Sequence, residues 1–293
     1  MISSYYINTS TTLNNYLKTR HLSSTQIYKF VSQKAITSEN KVLNLEDNLK
    51  KGDMIYVNYS LIEHSDIDYS QYYNFPESIN IIYEDSEIIA VDKKKNMLTH
   101  SDGNTNETIM DHLVKYLTNK GDDNFLRPLH RIDFKTKGVC IFAKNILAYS
   151  EISFQIENNT VVRKYEALVE GTIKLNNYQK EELKVNIGRD RHNSKKSIVL
   201  PQNSKFGKEA ITIIKPLQSK GLSNNTLLDV EIKTGRTHQI RVTLASINHP
   251  IVGDDLYGKY KPSDELMLIS KEFRFVLDHK EIIIKSKQTY IKK

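Results

Sequence analysis

The chain has 293 residues, of which 39% are hydrophobic and 26% charged. That apolar share supports a sizeable core and excludes a chain disordered throughout, and the length suits two domains. Lys and Arg number 42 against 35 Asp and Glu, a formal charge of +7, which points to an anionic partner, nucleic acid first.

The single cysteine, Cys140, excludes an internal disulfide framework and any zinc site built on cysteines. It lies in the apolar run Val139-Cys140-Ile141-Phe142-Ala143 and reads as a small core residue. No apolar stretch reaches the length of a membrane-spanning helix. The first residues lack the basic and apolar regions of a signal peptide, so a cytoplasmic protein without membrane contact is expected. Of the basic residues 33 are Lys and 9 are Arg, and seven of those nine Arg lie between Arg127 and Arg241. In so lysine-biased a chain, arginine marks the places where a planar fork matters.

Along the chain, Leu13, Tyr16 and Leu17 have helical spacing. A second helix is predicted from Ser24 or Thr25, behind a Ser/Thr cap, with Ile27, Phe30 and Val31 on one face. Short strands follow at 35–37, 41–43 and 54–57. Two helices and a small β-element ending in Gly52-Asp53 resemble the small RNA-binding domain of a small-subunit ribosomal protein, of tyrosyl-tRNA synthetases and of many RNA-modifying enzymes. That resemblance implies phosphate contacts from Lys18, Arg20 and Lys29. Lys34 stands where such domains usually carry glycine.

Residues 61–78 read as a linker between a domain over 1–60 and a second over 79–293. Strands are predicted at 79–83, 88–91, 139–143, 164–169 and 226–233, and helices at 108–118 and 147–156. Strands and helices mix without a regular βαβ rhythm, so an α+β fold is expected rather than a doubly wound sheet. Residues 184–208, with seven Lys/Arg and one Asp, read as a flexible basic loop.

The segment Arg127-Pro128-Leu129-His130-Arg131-Ile132-Asp133 runs through Gly138 into the apolar strand. Residues 127–145 hold five Lys/Arg and one acid, Asp133. A lone carboxylate among cations is expected in its charged form, which suits a nucleophile or an anionic stabiliser. Taken alone, a surface ion pair with a neighbouring Arg or Lys is the preferred reading. His130 and His238 lack the companion ligands of a metal site and read as structural histidines.

His130-Arg131-Ile132-Asp133, Arg163-Lys164-Tyr165 and Gly235-Arg236-Thr237-His238-Gln239-Ile240-Arg241 occur in order, followed by His249-Pro250 and Gly253-Asp254-Asp255-Leu256-Tyr257-Gly258. Together they resemble the RluA-type pseudouridine synthases, which modify uridines in large ribosomal RNAs, over about residues 79–275. The resemblance implies a catalytic domain with a mixed, largely antiparallel central sheet, and an isomerisation that needs no cofactor or metal. It implies Asp133 as nucleophile, Arg241 pairing with it through the guanidinium fork, and Tyr165 against the uracil. Arg131 would fill the space left by a flipped base. His130, Arg236, Thr237, His238, Gln239 and Ile240 would shape the substrate cleft. On a helix Ile240, Leu244 and Ile247 share one face that holds Arg241 in place.

Ribosomal RNA is the leading expected partner and transfer RNA the second, with no obligate protein partner and a monomer as the default. A non-catalytic RNA-binding protein on the same fold and a metal-dependent hydrolase are the rivals. The chain departs from the family at Asp92-Lys93-Lys94 (usually Asn-Lys-Pro), Lys137 (Ser or Thr), Thr243 (His) and Ile269 (His).

Overall fold

Alternation of buried and exposed residues sets the first strand, β1 (Ile2–Tyr6), in which Ser3 and Tyr5 are buried while Ile2, Ser4 and Tyr6 face out. This two-residue period belongs to a sheet covered on one side. The computed structural model describes residues 2–62, 79–101, 107–122, 125–173, 179–218, 224–259 and 264–290. These fall into two compact units, Met1–Ala90 with Thr99–Arg131 and Ile141–Glu157, and Val91–Leu98 with Ile132–Cys140 and Asn158–Lys293. The units follow a different partition from the expected split after residue 60. Most of the expected linker, 63–78, lies outside the described residues.

In the first unit β2 (Thr11–Thr12) leads into α1 (Leu13–Thr19), whose N-cap is Thr12. Helix α2 (Ser24–Ser32) starts at a capping box in which Ser23 and Gln26 satisfy each other's backbone N–H groups. Ile27 and Phe30 are buried on its inner face. Strands β3 (Ile36–Ser38), β4 (Lys41–Val42), β5 (Asn48–Leu49) and β6 (Met54–Asn58) follow. They form a four-stranded sheet in the order β1-β6-β3-β4, with β2 and β5 paired separately. Lys34, at the position where glycine is usual, has φ of 52°, the left-handed region that glycine reaches most cheaply.

The same unit holds β7 (Ile81–Glu84), the first half of β8 (Ile88–Lys93), α3 (Ile109–Asn119), β9 (Arg127–Pro128), the end of β10 (Lys137–Ala143) and α4 (Ile146–Glu157). Thr108 and Asp111 form a second capping box at α3. The N-terminal core of Leu13, Leu17, Phe30, Ile55, Val57 and Tyr59 includes Leu147 of α4. Buried Tyr5 makes a polar contact as well: its hydroxyl lies 2.6 Å from that of Tyr59 and donates to Glu87 at 2.7 Å. Burial raises the Glu87 carboxyl above its ordinary range, against the hydrogen bond from Tyr5.

The second unit is built on β11 (Val162–Glu170), β12 (Glu181–Arg189), β13 (Ser197–Leu200), β14 (Gly207–Gln218), β15 (Asn225–Ile232), α5 (Gln239–Ser246), β16 (Leu268–Leu277) and β17 (Lys280–Lys285). Its strand order is β13-β12-β14-β15-β11-β16, with β17 on β16. These pairings are antiparallel, whereas Lys137 and Gly138 of β10 pair with β16 in parallel. The fold is therefore α+β with a mixed, mostly antiparallel sheet. The expected flexible loop at 184–208 is corrected: Asn186–Arg189 pair with Ser197–Leu200, and Glu181–Gly188 pair with residues 207–214. Its buried positions, Asn186, Ile187 and Ser197, were hidden in a run dominated by charge.

Gly138 has φ of 108°, and a Cβ there would lie 2.1 Å from the Ser270 carbonyl oxygen. Only glycine admits this close parallel register, which fixes the strand that follows Asp133.

Candidate active site

Asp133 opens a turn in which its carbonyl accepts from Thr136 N at 3.0 Å. Asx residues favour this first position of a turn. The turn is anchored at Phe134, whose carbonyl accepts from Asn96 N and from Lys93 Nζ, both at 2.9 Å. Lys93 also donates to the carbonyls of Lys94 and Met97. Burial holds its ammonium down at about 8, although the charge of Asp133 pulls the other way. The Asp133 side chain keeps 25% of its surface exposed, so the carboxylate is reachable from solvent.

Helix α5 and the residue that caps it bring Arg241 and His238 to Asp133. Arg241 Nη1 lies 3.4 Å from Asp133 Oδ2, and His238 Nε2 lies 3.9 Å from the same oxygen. His238 sits before the helix with φ of 55°, a left-handed conformation that costs backbone energy outside glycine. Ile240 and Leu244 are buried on the inner face of α5, as their spacing predicts.

The arginine fork is not spent on Asp133. Arg241 Nε and Nη2 donate to the two oxygens of Asp254, each at 2.8 Å, and Asp254 is fully buried. Burial works against both charges. The two hydrogen bonds outweigh it, raising the Arg241 pKa and lowering that of Asp254. The expectation that the fork grips Asp133 is thus corrected to a single longer contact. Asp254 also accepts from Leu256 N and Tyr257 N. Gly253 makes this turn possible: at φ of 80°, its Cβ would lie 1.9 Å from the Glu265 carbonyl oxygen.

Tyr257 lines the other side of Arg241, its ring centroid 5.4 Å from the guanidinium carbon. Its hydroxyl lies 3.0 Å from His238 Nδ1 and accepts from Ser197 N at 2.8 Å. Asp254, Asp255 and Tyr257 were in a quoted segment but carried no assigned role. Their signal was a pair of acids after a glycine in a basic chain.

Tyr165 lies in β11, beside a bulge in its pairing with β16. Bulges re-aim side chains and cluster near active sites. The tyrosine is buried, and burial pushes its phenol up to about 12, with the Asp133 charge adding to the rise. Buried Arg163 donates from Nη2 to the Lys233 carbonyl at 2.7 Å, tying β11 to the turn before α5.

The other expected site residues divide. Thr237 is exposed, and Arg236 donates from Nε to the Glu209 carbonyl. Gln239 and Ile240, expected at the substrate, are buried instead. Both polar atoms of Gln239 are engaged inside the protein, with Thr234, Arg236, Ile211 and Thr212. In the first unit His130 Nε2 accepts from Ile141 N at 3.3 Å, and Arg131, Lys18 and Lys29 are exposed. Arg20 is a further correction: it is buried, with Nε 2.7 Å from Glu151 Oε2, and is not presented to a phosphate. Among the described residues no three His, Cys, Asp or Glu side chains group as a metal site.

Two of the family departures, Asp92 and Lys137, have polar partners inside the protein. Asp92 accepts from the Ser286 hydroxyl and Gln288 Nε2, Lys137 pairs with Glu265 at 2.7 Å, and Ile269 is buried. The hydroxyl of Thr243 is buried with no hydrogen-bond partner among the described residues.

Residues 87–246 match the family model described as RNA pseudouridylate synthase. An uncharacterized RNA pseudouridine synthase of Bacillus subtilis is 34% identical over 214 residues, 72% of this chain and 66% of that protein. A ribosomal large subunit pseudouridine synthase D of Neisseria meningitidis is 32% identical over 62% of this chain and 47% of its own length. The chain therefore spans between about half and two thirds of these relatives. A solved structure titled human RNA pseudouridylate synthase domain containing 1 shares the fold, with a TM-score of 0.60 at 22% identity, over 73% of this chain and 85% of that one.

Proposed function

Because the chain belongs to the RNA pseudouridylate synthase family, we propose that it isomerises uridines in RNA to pseudouridine with Asp133 as the reacting carboxylate. The observation that carries this reading is the half-exposed Asp133, faced by Arg241 and His238, with Arg241 itself held by buried Asp254.

The reaction breaks the bond between ribose C1′ and uracil N1, turns the base, and joins C1′ to C5. The proton on C5 then leaves and N1 takes one up, so the net change is an isomerisation. Asp133 attacks the ribose or the uracil ring, or steadies the sugar cation as it forms. Arg241 orients that carboxylate. Tyr165, a neutral phenol at physiological pH, packs on the base and serves the proton transfer. The target base leaves its stack to reach Asp133, and Arg131 fills the vacated space.

Ribosomal RNA is the leading substrate, in keeping with the Neisseria relative's name, and transfer RNA the second. Lys18 and Lys29 meet RNA phosphates in this reading, and their exposure supports it. The reading takes the enzyme as a cytoplasmic monomer; no helix among the described residues is long and apolar enough to cross a membrane.

Pseudouridine mapping across all cellular RNA, with and without the gene, tests the reading. At least one site is expected to disappear on deletion, to return with the wild-type gene, and to stay absent with Asp133→Asn. A site restored by folded Asp133→Asn protein overturns it.

A further inference from the structure

The second unit contains a groove of about 490 Å³, within the range of small-ligand clefts. Arg189, Lys195, Lys196, Lys208 and Arg236 line it, together with Phe206. Among the described residues no carboxylate forms an ion pair with any of these five cations. Five cations without acidic partners around one groove repel each other, and an anion relieves that repulsion.

Phe206 is 75% exposed, the highest value among the described large hydrophobic side chains. A single exposed apolar residue is ordinary on a protein surface. This one stands among the groove's cations, with the Arg191 guanidinium carbon 4.8 Å from its ring centroid. An aromatic face beside a cationic track is the chemistry that holds single-stranded nucleic acid, since bases in a duplex offer no free face for stacking.

The groove adjoins the candidate active site through one wall. Ser197 lines the groove, and its N–H donates to the Tyr257 hydroxyl at 2.8 Å. Lys196 Nζ lies 5.8 Å from the Tyr257 ring centroid. Tyr257 contacts His238, whose Nε2 lies 3.9 Å from Asp133. Ser197, Tyr257 and His238 thus link the groove's wall to Asp133.

We propose that this groove binds an unpaired nucleotide adjoining the target uridine, with the lysines and Arg236 around its phosphate and its base stacked on Phe206. The proposal rests on the chain acting on RNA, and it assigns substrate selection to the segment from Arg189 to Lys208.

The test uses the full chain and a short, labelled, uridine-containing single-stranded RNA. Phe206→Ala should weaken binding by about 5- to 150-fold, the range for one lost base stack. Phe206→Tyr should restore it. On the same oligonucleotide with abasic sugars, Phe206→Ala and wild type should bind alike. Lys195→Gln with Lys208→Gln should make the salt dependence shallower, by roughly 0.7 in slope for each lost phosphate contact. Wild-type affinity in Phe206→Ala, an equal loss on the abasic strand, or an unchanged salt slope in the lysine variant overturns the groove. Asp133→Asn separates the two ideas: it should bind the oligonucleotide normally yet form no pseudouridine in RNA from cells lacking the gene. Pseudouridine formed by that variant would overturn the catalytic reading and leave the binding result standing.

Discussion

Arg241 gives two of its nitrogens to Asp254 and one to Asp133: Nε and Nη2 lie 2.8 Å from Asp254, and Nη1 lies 3.4 Å from Asp133. The short, buried, bidentate pair sets where the guanidinium stands. The longer contact then aims its remaining edge at the half-exposed carboxylate. Asp254 is thus a positioning residue that acts through Arg241.

Breaking the buried pair should be costly. Asp254→Ala leaves Arg241 buried without its partner, and removal of one member of such a pair typically costs about 3–5 kcal/mol. Arg241→Lys keeps the charge but loses the fork, so it should slow the single-turnover rate severely at saturating RNA. Melting curves beside single-turnover rates check both. Arg241→Lys with wild-type rate would show that the fork does not align Asp133.

Tyr165→Phe keeps the packing ring and loses the phenolic oxygen. It should bind RNA like wild type and turn over poorly. With its phenol pushed up to about 12, Tyr165 itself should cause no alkaline change in rate before that region. A single-turnover pH profile reads both effects, and a wild-type rate in the Phe variant would leave Tyr165 a packing residue only.

Lys93 should give stability a pH dependence of known sign. Unfolded, its amine holds a proton up to an ordinary value of 10.5; folded, burial lowers this to about 8. Between those values the unfolded chain binds more protons, so Lys93's contribution to stability rises with pH across that window. Below about 8 the penalty is fully present, and a depression from 10.5 to about 8 corresponds to about 3 kcal/mol. Urea unfolding of wild type and Lys93→Met at pH 7.5, about half a unit below that window, and at pH 10, about half a unit short of its upper end, should show the wild type gaining on the variant as pH rises. A constant difference would contradict the assignment.

A chain beginning at residue 79 should lose stability as well as RNA affinity. It would strip Tyr5 from Glu87 and Arg20 from Glu151, and expose Leu147, which belongs to the N-terminal core. Each orphaned buried carboxylate costs on the order of 1–3 kcal/mol. Thermal melting of the shortened chain checks this, and an unchanged melting temperature would show that residues 1–62 add nothing to the stability of 79–157.

Local order in the sequence carried much of the fold. Helices α1, α2 and α5 were legible from apolar spacing, and the Ser/Thr cap before α2 from residue type, because both act over a few neighbouring residues. Asp133, Tyr165 and Arg241 were marked by their motifs, and the lone acid among cations already suggested why Asp133 was distinctive. The pairing across 184–208 was not legible, because its few buried residues sit in a run dominated by charge and lack the clean two-residue alternation of a half-buried strand. Arg20 looked like a phosphate contact on a basic helix end, and only the fold placed it against Glu151, 131 positions later. Likewise Arg241 and Asp254 are separated by 13 positions and a turn. Sequence names which residues can carry charge and chemistry. Which carboxylate takes the fork depends on burial and distance, and those exist only once the chain has folded.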